Sequence, residues 1–243
     1  MKKICFLILI LTINIGFSQK KTSGKIIYKA SIKLPEPKTK TPNYSQELKA
    51  IVNSVKKLRY VLTFNSNSSF FELEKSMDLD IERLHRKAFS GKGKNSFYTN
   101  LNSSSCVEVK NFGGETFQVT NLKPKFKLTN ETKIIGGYKC YKAITSETVY
   151  FSKFGIGMED TVNHVVAWYT TEIPIQFGPL NFFGLPGLIL ELKFSTKTYT
   201  ATDIKLSNKI LKITEPTKGK KMTLEEYEAL MIETAKKMNI KFN

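Results

Sequence analysis

Any chemistry in this chain has to come from a short inventory. The 243 residues include three cysteines and two histidines. Cys5 lies inside an apolar N-terminal run, which leaves Cys106 and Cys140. His85 and His164 stand in unrelated contexts. There is no HExxH, no CxxC and no His/Cys cluster, so neither a metal nor a cofactor is expected. Asp78, Asp80 and Glu82 resemble scattered ligands. A calcium loop, however, needs a glycine at its sixth position and a glutamate at its twelfth, so these three read as a solvated face. Ser90-Gly91-Lys92-Gly93-Lys94 lacks the spacing of a phosphate loop and reads as a basic loop. No GxSxG elbow is present. A Cys140–His164 nucleophile pair conflicts with the strand setting of Cys140. Glu225-Glu226 open a helix, where they favour the macrodipole. No catalytic residue is assigned, and the balance leans against an enzyme.

The two remaining cysteines form a candidate disulfide, Cys106–Cys140. It would close a loop of about 34 residues, worth ~3–4 kcal/mol in the chain-entropy model. The alternative is two buried thiols on separate strands, because a bridge requires Cα atoms within ~7 Å.

The elements that would position a site converge on Ala167 to Leu192. This stretch holds the single Trp and three of the eight prolines. In Gly184-Leu185-Pro186-Gly187-Leu188-Ile189, Pro186 suits the second position of a type II turn and Gly187 the positive φ of the third. Gly178-Pro179 makes an earlier bend. The loop between Trp168 and Leu188 is long and too apolar to lie free in water. Two readings follow. Phe177, Leu180, Phe182 and Phe183 plug the open end of a sheet, or Trp168, Tyr169, Phe177, Phe182, Phe183, Leu185 and Leu188 form an apolar binding lip on a rigid turn.

Gly184 to Ile189 spells the hexapeptide that names the GLPGLI family of secreted bacterial proteins, and the chain resembles that family. Ala167-Trp168-Tyr169-Thr170, Glu172-Ile173-Pro174-Ile175 and Gly178-Pro179 resemble its lead-in. Glu131-Thr132-Lys133, Gly136-Gly137-Tyr138-Lys139-Cys140 and Lys142-Ala143 resemble its upstream block. The resemblance covers about Lys125 to Leu192. No Gly-Arg pair precedes Ala167, and Lys193 and Phe194 stand where the family carries an aspartate. It implies a secreted protein and a β-rich architecture, without an established activity.

The N-terminus reads as a cleavable signal peptide, residues 1–18. Lys2 and Lys3 precede the apolar run Ile4 to Ile15, and Gly16-Phe17-Ser18 offers a cleavage site before Gln19. The run is too short to span a bilayer, and no later stretch reaches the ~20 apolar residues of a membrane helix. The expected location is the periplasm, the extracellular space or the outer-membrane surface. A formal charge of +17 favours an anionic envelope ligand or simply keeps a lysine-rich surface soluble. Export and the absence of RNP-like or helix-turn-helix signatures argue against nucleic acid.

Residues 19–243 suit one β-rich domain. Strand patterns run over Gly24–Leu34, Arg59–Asn65, Ser69–Leu73, Phe97–Leu101, Val107–Phe112, Glu115–Thr120, Lys125–Leu128, Tyr138–Thr148, Val165–Thr170, Leu188–Phe194, Thr198–Leu206 and Ile210–Ile213. Helical spacing marks Ser45–Lys57. It recurs over Leu224–Met238, where Thr223 and Glu226 make a capping box. Val149–Asn163 is glycine-broken. The expected fold is mainly β (α+β): a curved antiparallel sheet or half-open barrel with one helix from the N-terminal half and one C-terminal helix packed on it. The expected function is a non-enzymatic binding module that holds an apolar or peptide ligand, or an outer-membrane partner, through Trp168–Leu192. The alternatives are a hydrolase acting on envelope polymers and a purely structural envelope component.

Overall fold

The computed structural model describes residues 23–33, 42–74, 95–149 and 161–237. The segment read as a signal peptide, residues 1–18, and Asp78, Asp80, Glu82, His85, Ser90–Lys94, Met238 and most of Val149–Asn163 lie outside them.

Twelve strands form one sheet: β1 (Ser23–Ile32), β2 (Arg59–Phe64), β3 (Ser68–Leu73), β4 (Ser96–Asn100), β5 (Ser105–Phe112), β6 (Glu115–Leu122), β7 (Lys127–Ile135), β8 (Tyr138–Val149), β9 (Thr161–Thr170), β10 (Leu188–Phe194), β11 (Lys197–Ser207) and β12 (Lys220–Thr223). Among the described residues two helices accompany them, α1 (Pro42–Lys57) and α2 (Leu224–Lys237). The order across the sheet is β12-β6-β5-β4-β3-β2-β1-β11-β10-β9-β8-β7. Every pairing is antiparallel except β12 with β6, which makes the sheet mixed rather than wholly antiparallel.

Hairpin chemistry explains most of this order. Gly113-Gly114 and Gly136-Gly137 all have positive φ, between 57° and 88°, as two-residue hairpin turns require. The second pair joins β7 to β8, so β7 runs far beyond the Lys125–Leu128 read from sequence. At the β2–β3 turn, Asn65 Oδ1 accepts hydrogen bonds from the amides of Asn67 and Ser68.

Chain connectivity forces the sheet to curl. Strands β6 and β7 are consecutive in sequence yet stand at the second and twelfth places. On a flat sheet about ten spacings of ~4.8 Å would separate them by roughly 48 Å. The link Lys123 to Phe126 reaches at most ~18 Å. The two ends of the sheet therefore approach each other, as a half-open barrel requires.

A second crossing explains the parallel strand. Ile210–Ile213 is not a strand; it belongs to an extended strap, residues 208–219. Asn65 Nδ2 donates to Leu211 O at 3.0 Å and Gln118 Nε2 to Lys218 O at 3.0 Å, while Ser23 Oγ donates to Lys209 O. The strap carries the chain from β11 to β12, the kind of long crossover that parallel pairing needs.

Alternation places one set of side chains inside. Ile26, Tyr28, Ala30, Tyr60, Leu62, Phe64, Phe71 and Phe97 are buried in one core. There Tyr60 stacks on Phe71 at 5.5 Å and meets Tyr199 edge-on at 5.2 Å. Burial pushes the phenols of Tyr28, Tyr60 and Tyr199 above their ordinary range. Helix α1 packs on β1 and adds Val55, and Leu58 just after it joins the same core. Helix α2 covers a smaller cluster on β6, where Phe117 meets Tyr227 at 5.5 Å.

The capping box closes as the spacing predicts. The amide of Glu226 donates to Thr223 Oγ1 at 3.2 Å, and the amide of Thr223 to Glu226 Oε2 at 2.7 Å. Thr223→Ala is expected to cost about 1 kcal/mol, a fall of roughly 3 °C in Tm, read by differential scanning calorimetry.

Candidate functional site

The segment between β9 and β10, residues 171–187, turns inward and fills the curl of the sheet. Phe177, Leu180, Phe182, Phe183 and Leu185 are at most 2% exposed. Phe177 reaches Phe64 on β2 at 6.4 Å between ring centres, and Phe182 reaches Phe194 at 5.7 Å and Phe126 of the β6–β7 link at 6.4 Å. Backbone bonds tie the segment to itself and to β10: Gly184 N donates to Gln176 O at 2.8 Å, Leu188 N to Ile173 O at 3.0 Å and Ile189 N to Phe177 O at 3.0 Å. These bonds satisfy polar groups that burial would otherwise penalise.

Glycine is required here by contact more than by turn type. At Gly187 a Cβ would lie 2.0 Å from Thr170 O, and at Gly178 it would lie 2.6 Å from Ile189 Cδ1. Gly187 does not take the positive φ of a type II turn. The positive φ falls on Gly184, at 89°, where the side chain of Lys123 occupies the space of a Cβ. Leu180 also sits at φ 59°, in the turn closed by Phe182 N and Pro179 O at 3.3 Å. A leucine there carries roughly 1–2 kcal/mol of backbone strain, tolerated because the side chain is buried.

Trp168 and Tyr169 part company, as adjacent strand residues do. Tyr169 is 5% exposed and points inward. Trp168 lies on the outer face, paired with Glu191 on one side and Lys142 on the other. Lys133 Nζ stands 4.4 Å over the Trp168 ring and 2.7 Å from Glu191 Oε1. Lys142 Nζ meets Glu131 Oε1 at 2.7 Å. The platform adjoins β7, an end strand of the sheet; on the other face of that strand Leu128 and Ile134 are 54% and 66% exposed.

Cys106 and Cys140 are not bonded to each other. Seven strands lie between β5 and β8. Register also puts the two residues on opposite faces: Cys106 pairs with Thr99 on the inner face, while Cys140 shares the outer face with Lys142 and Trp168. Burial pushes the Cys140 thiol up to about 11.

One polar cluster had no sequence signal. Glu108 on β5 is fully buried on the inner face between Phe97 and Val119. Its Oε1 accepts from Asn95 Nδ2 at 2.6 Å. Its Oε2 has no hydrogen bond and lies 3.4 Å from Lys110 Nζ, which stands 4.4 Å over the Tyr227 ring. Burial, and secondarily the Glu108 charge, raises the Tyr227 phenol.

The plug region is also where the chain is similar to a known family. Residues 153–191 match the family described as "Protein of unknown function (Porph_ging)". No curated protein matches the chain. Among solved structures, PNGF-II in its P21 crystal form is 18% identical over 86% of this chain, with a TM-score of 0.49. PNGF-II in its C2 form is 19% identical over 88%, with a TM-score of 0.50. The chain spans about a third of the length of PNGF-II, 33% in each case, and the likeness is one of fold.

The plug geometry makes two expectations testable. Phe182→Ala should cost ~3–5 kcal/mol and lower Tm by roughly 10 °C, because its cavity is walled by sheet and link and cannot collapse. An alkylating reagent at neutral pH should leave Cys140 untouched in folded protein, whereas denaturation should expose thiols at both Cys106 and Cys140; bridged cysteines would stay unlabelled in both states.

Proposed function

We propose that the chain is an exported, non-enzymatic binding module that docks an extended segment of an envelope partner along β7, beside Trp168. The observation that carries this reading is the free edge of β7. The strand is nine residues long and among the described residues pairs only with β8. Such an edge presents unpaired N–H and C=O groups in a row, and an incoming strand can extend the sheet.

Side chains favour the same edge. Leu128 pairs with Ala143 and Ile134 with Lys139, so both emerge on the face of Ala143 and Ala167, opposite Trp168, despite the bulge between Leu128 and Thr132. They give an added strand two apolar positions to cover. Lys125, Lys127 and Lys139 are exposed around the edge and suit a partner segment carrying acidic residues.

This reading moves the contact surface of the Trp168–Leu192 stretch to its rim. Phe177, Phe182, Phe183, Leu185 and Leu188 are buried within the core, whereas Trp168 is half-buried and reachable from outside. The signal-peptide pattern read from the sequence over residues 1–18 supports a periplasmic or extracellular setting.

Native mass spectrometry of protein purified from its own envelope without detergent tests the reading. A reproducible extra mass that is a polypeptide is expected on the wild type. It should be lost from the double variant Leu128→Lys, Ile134→Lys, whose Tm should stay within a few degrees. An extra mass retained by the variant would place the binding surface elsewhere.

A further inference from the structure

We propose that Lys110 and Asn95 join in an intramolecular amide bond, formed with Glu108 as the proton relay. The three residues already share one carboxylate. Asn95 Nδ2 donates to Oε1 at 2.6 Å, and Lys110 Nζ lies 3.4 Å from Oε2. The pairing of β4 with β5 matches Ser96 with Val109. One step further along the same register sets Asn95 opposite Lys110, within the ~5 Å Cβ separation of cross-strand neighbours.

The setting suits amide formation over a plain ion pair. Glu108 is fully buried, and its Oε2 is an orphan acceptor, which a stable fold normally avoids. The lysine side chain is 15% exposed and is held by the Tyr227 ring at 4.4 Å, so its amine has little freedom to swing into water. Fixed neighbours of this kind replace the entropy cost of bringing amine and carboxamide together.

The steps balance without any outside reagent. Lys110 passes a proton from Nζ to Glu108 Oε2, which leaves a neutral amine beside a carboxylic acid. The amine lone pair adds to Cγ of Asn95, and the C=O π pair moves onto Oδ1. Glu108 then gives its proton to the Nδ2 leaving group and takes one from Nζ. The Oδ1 pair re-forms the carbonyl as the Cγ–Nδ2 bond breaks. Ammonia departs, takes up the proton that Glu108 holds, and leaves the site as ammonium. One C–N bond forms, one breaks, and nothing is oxidised or reduced.

The product would cross-link the residue just before β4 to β5, on the face on which α2 docks. It would give a domain whose two cysteines are not bonded to each other a covalent brace of its own.

Trypsin makes the test direct. The chain has no Lys or Arg between Asn95 and Lys110, so an unlinked protein releases the linear peptide 95–110. A linked protein cannot be cut after Lys110 and yields a peptide that runs on to Lys125, lighter by one ammonia than its sequence. That peptide is expected from folded wild type, with fragment ions showing the Asn95–Lys110 bond. Lys110→Arg keeps the cation between Glu108 and Tyr227 but cannot form the bond, and should show no ammonia loss and a lower Tm. Glu108→Gln should remove the relay and return the linear peptide 95–110. Complete recovery of linear 95–110 from folded wild type would overturn the proposal.

Discussion

The rest of the structure depends on how the inside of a curled twelve-stranded sheet is filled. Around eight strands, a closed barrel is just narrow enough for its own side chains to fill it; wider sheets leave a lumen. Here the link Lys123–Phe126 fixes how far the ends can separate, and the segment 171–187 occupies the space that remains. Two of its close approaches are at Gly187, against the backbone of Thr170, and at Gly178, against the side chain of Ile189. Larger residues there would hold the segment off the sheet and open the core. The strain at Leu180 belongs to the same arrangement, because the chain must reverse within a confined space.

Much of the fold was legible because hairpins announce themselves. Gly113-Gly114, Asn65 to Ser68 and the Thr223/Glu226 box are local signals, and each local choice agreed with the global one. The plug was visible as an apolar run without a strand period, but its orientation was not. Burial inward and exposure as a lip need the same residues, and only the number of strands decides between them. The strap at 208–219 failed for the opposite reason. Ile210 and Ile213 look like a strand, yet among the described residues no strand of the sheet pairs with them, and Ile210 is 66% exposed. The turn at Pro186-Gly187 was misread because a glycine needed for positive φ and one needed for close approach look identical in sequence.

The buried cluster on β5 was illegible for a different physical reason. In Cys106-Val107-Glu108-Val109-Lys110 the valines alternate with charged residues, and hydropathy alone turns the valines inward. The structure does the reverse: Glu108 is fully buried, while Val107 and Val109 are only half-buried. Register is transmitted across neighbouring strands, so the inward set on β5 is dictated by Phe97 and Thr99 on β4 and by Phe117 and Val119 on β6. A one-residue slip to bury the valines would turn all of those aromatic contacts outward. The carboxylate is thus the cost of keeping several large side chains inside. Asn95, Lys110 and Tyr227 reduce that cost without satisfying Oε2.

Filling the interior also constrains where the molecule can meet others. The inner face is taken by the plug at one end and by α2 at the other, and the strap crosses between them near β1, β2 and β6. Among the described residues the sheet ends in two edges, and they differ. β12 is a four-residue strand that offers few ladder positions. β7 is nine residues long, interrupted by one bulge that disturbs the ladder without ending it. Natural sheets guard edges with charges that face a newcomer. On β7 two of the charges are already engaged, Lys133 with Glu191 and Glu131 with Lys142. Those two charges are drawn back toward the sheet, while Lys127 and the apolar Leu128 and Ile134 stay exposed along the strand.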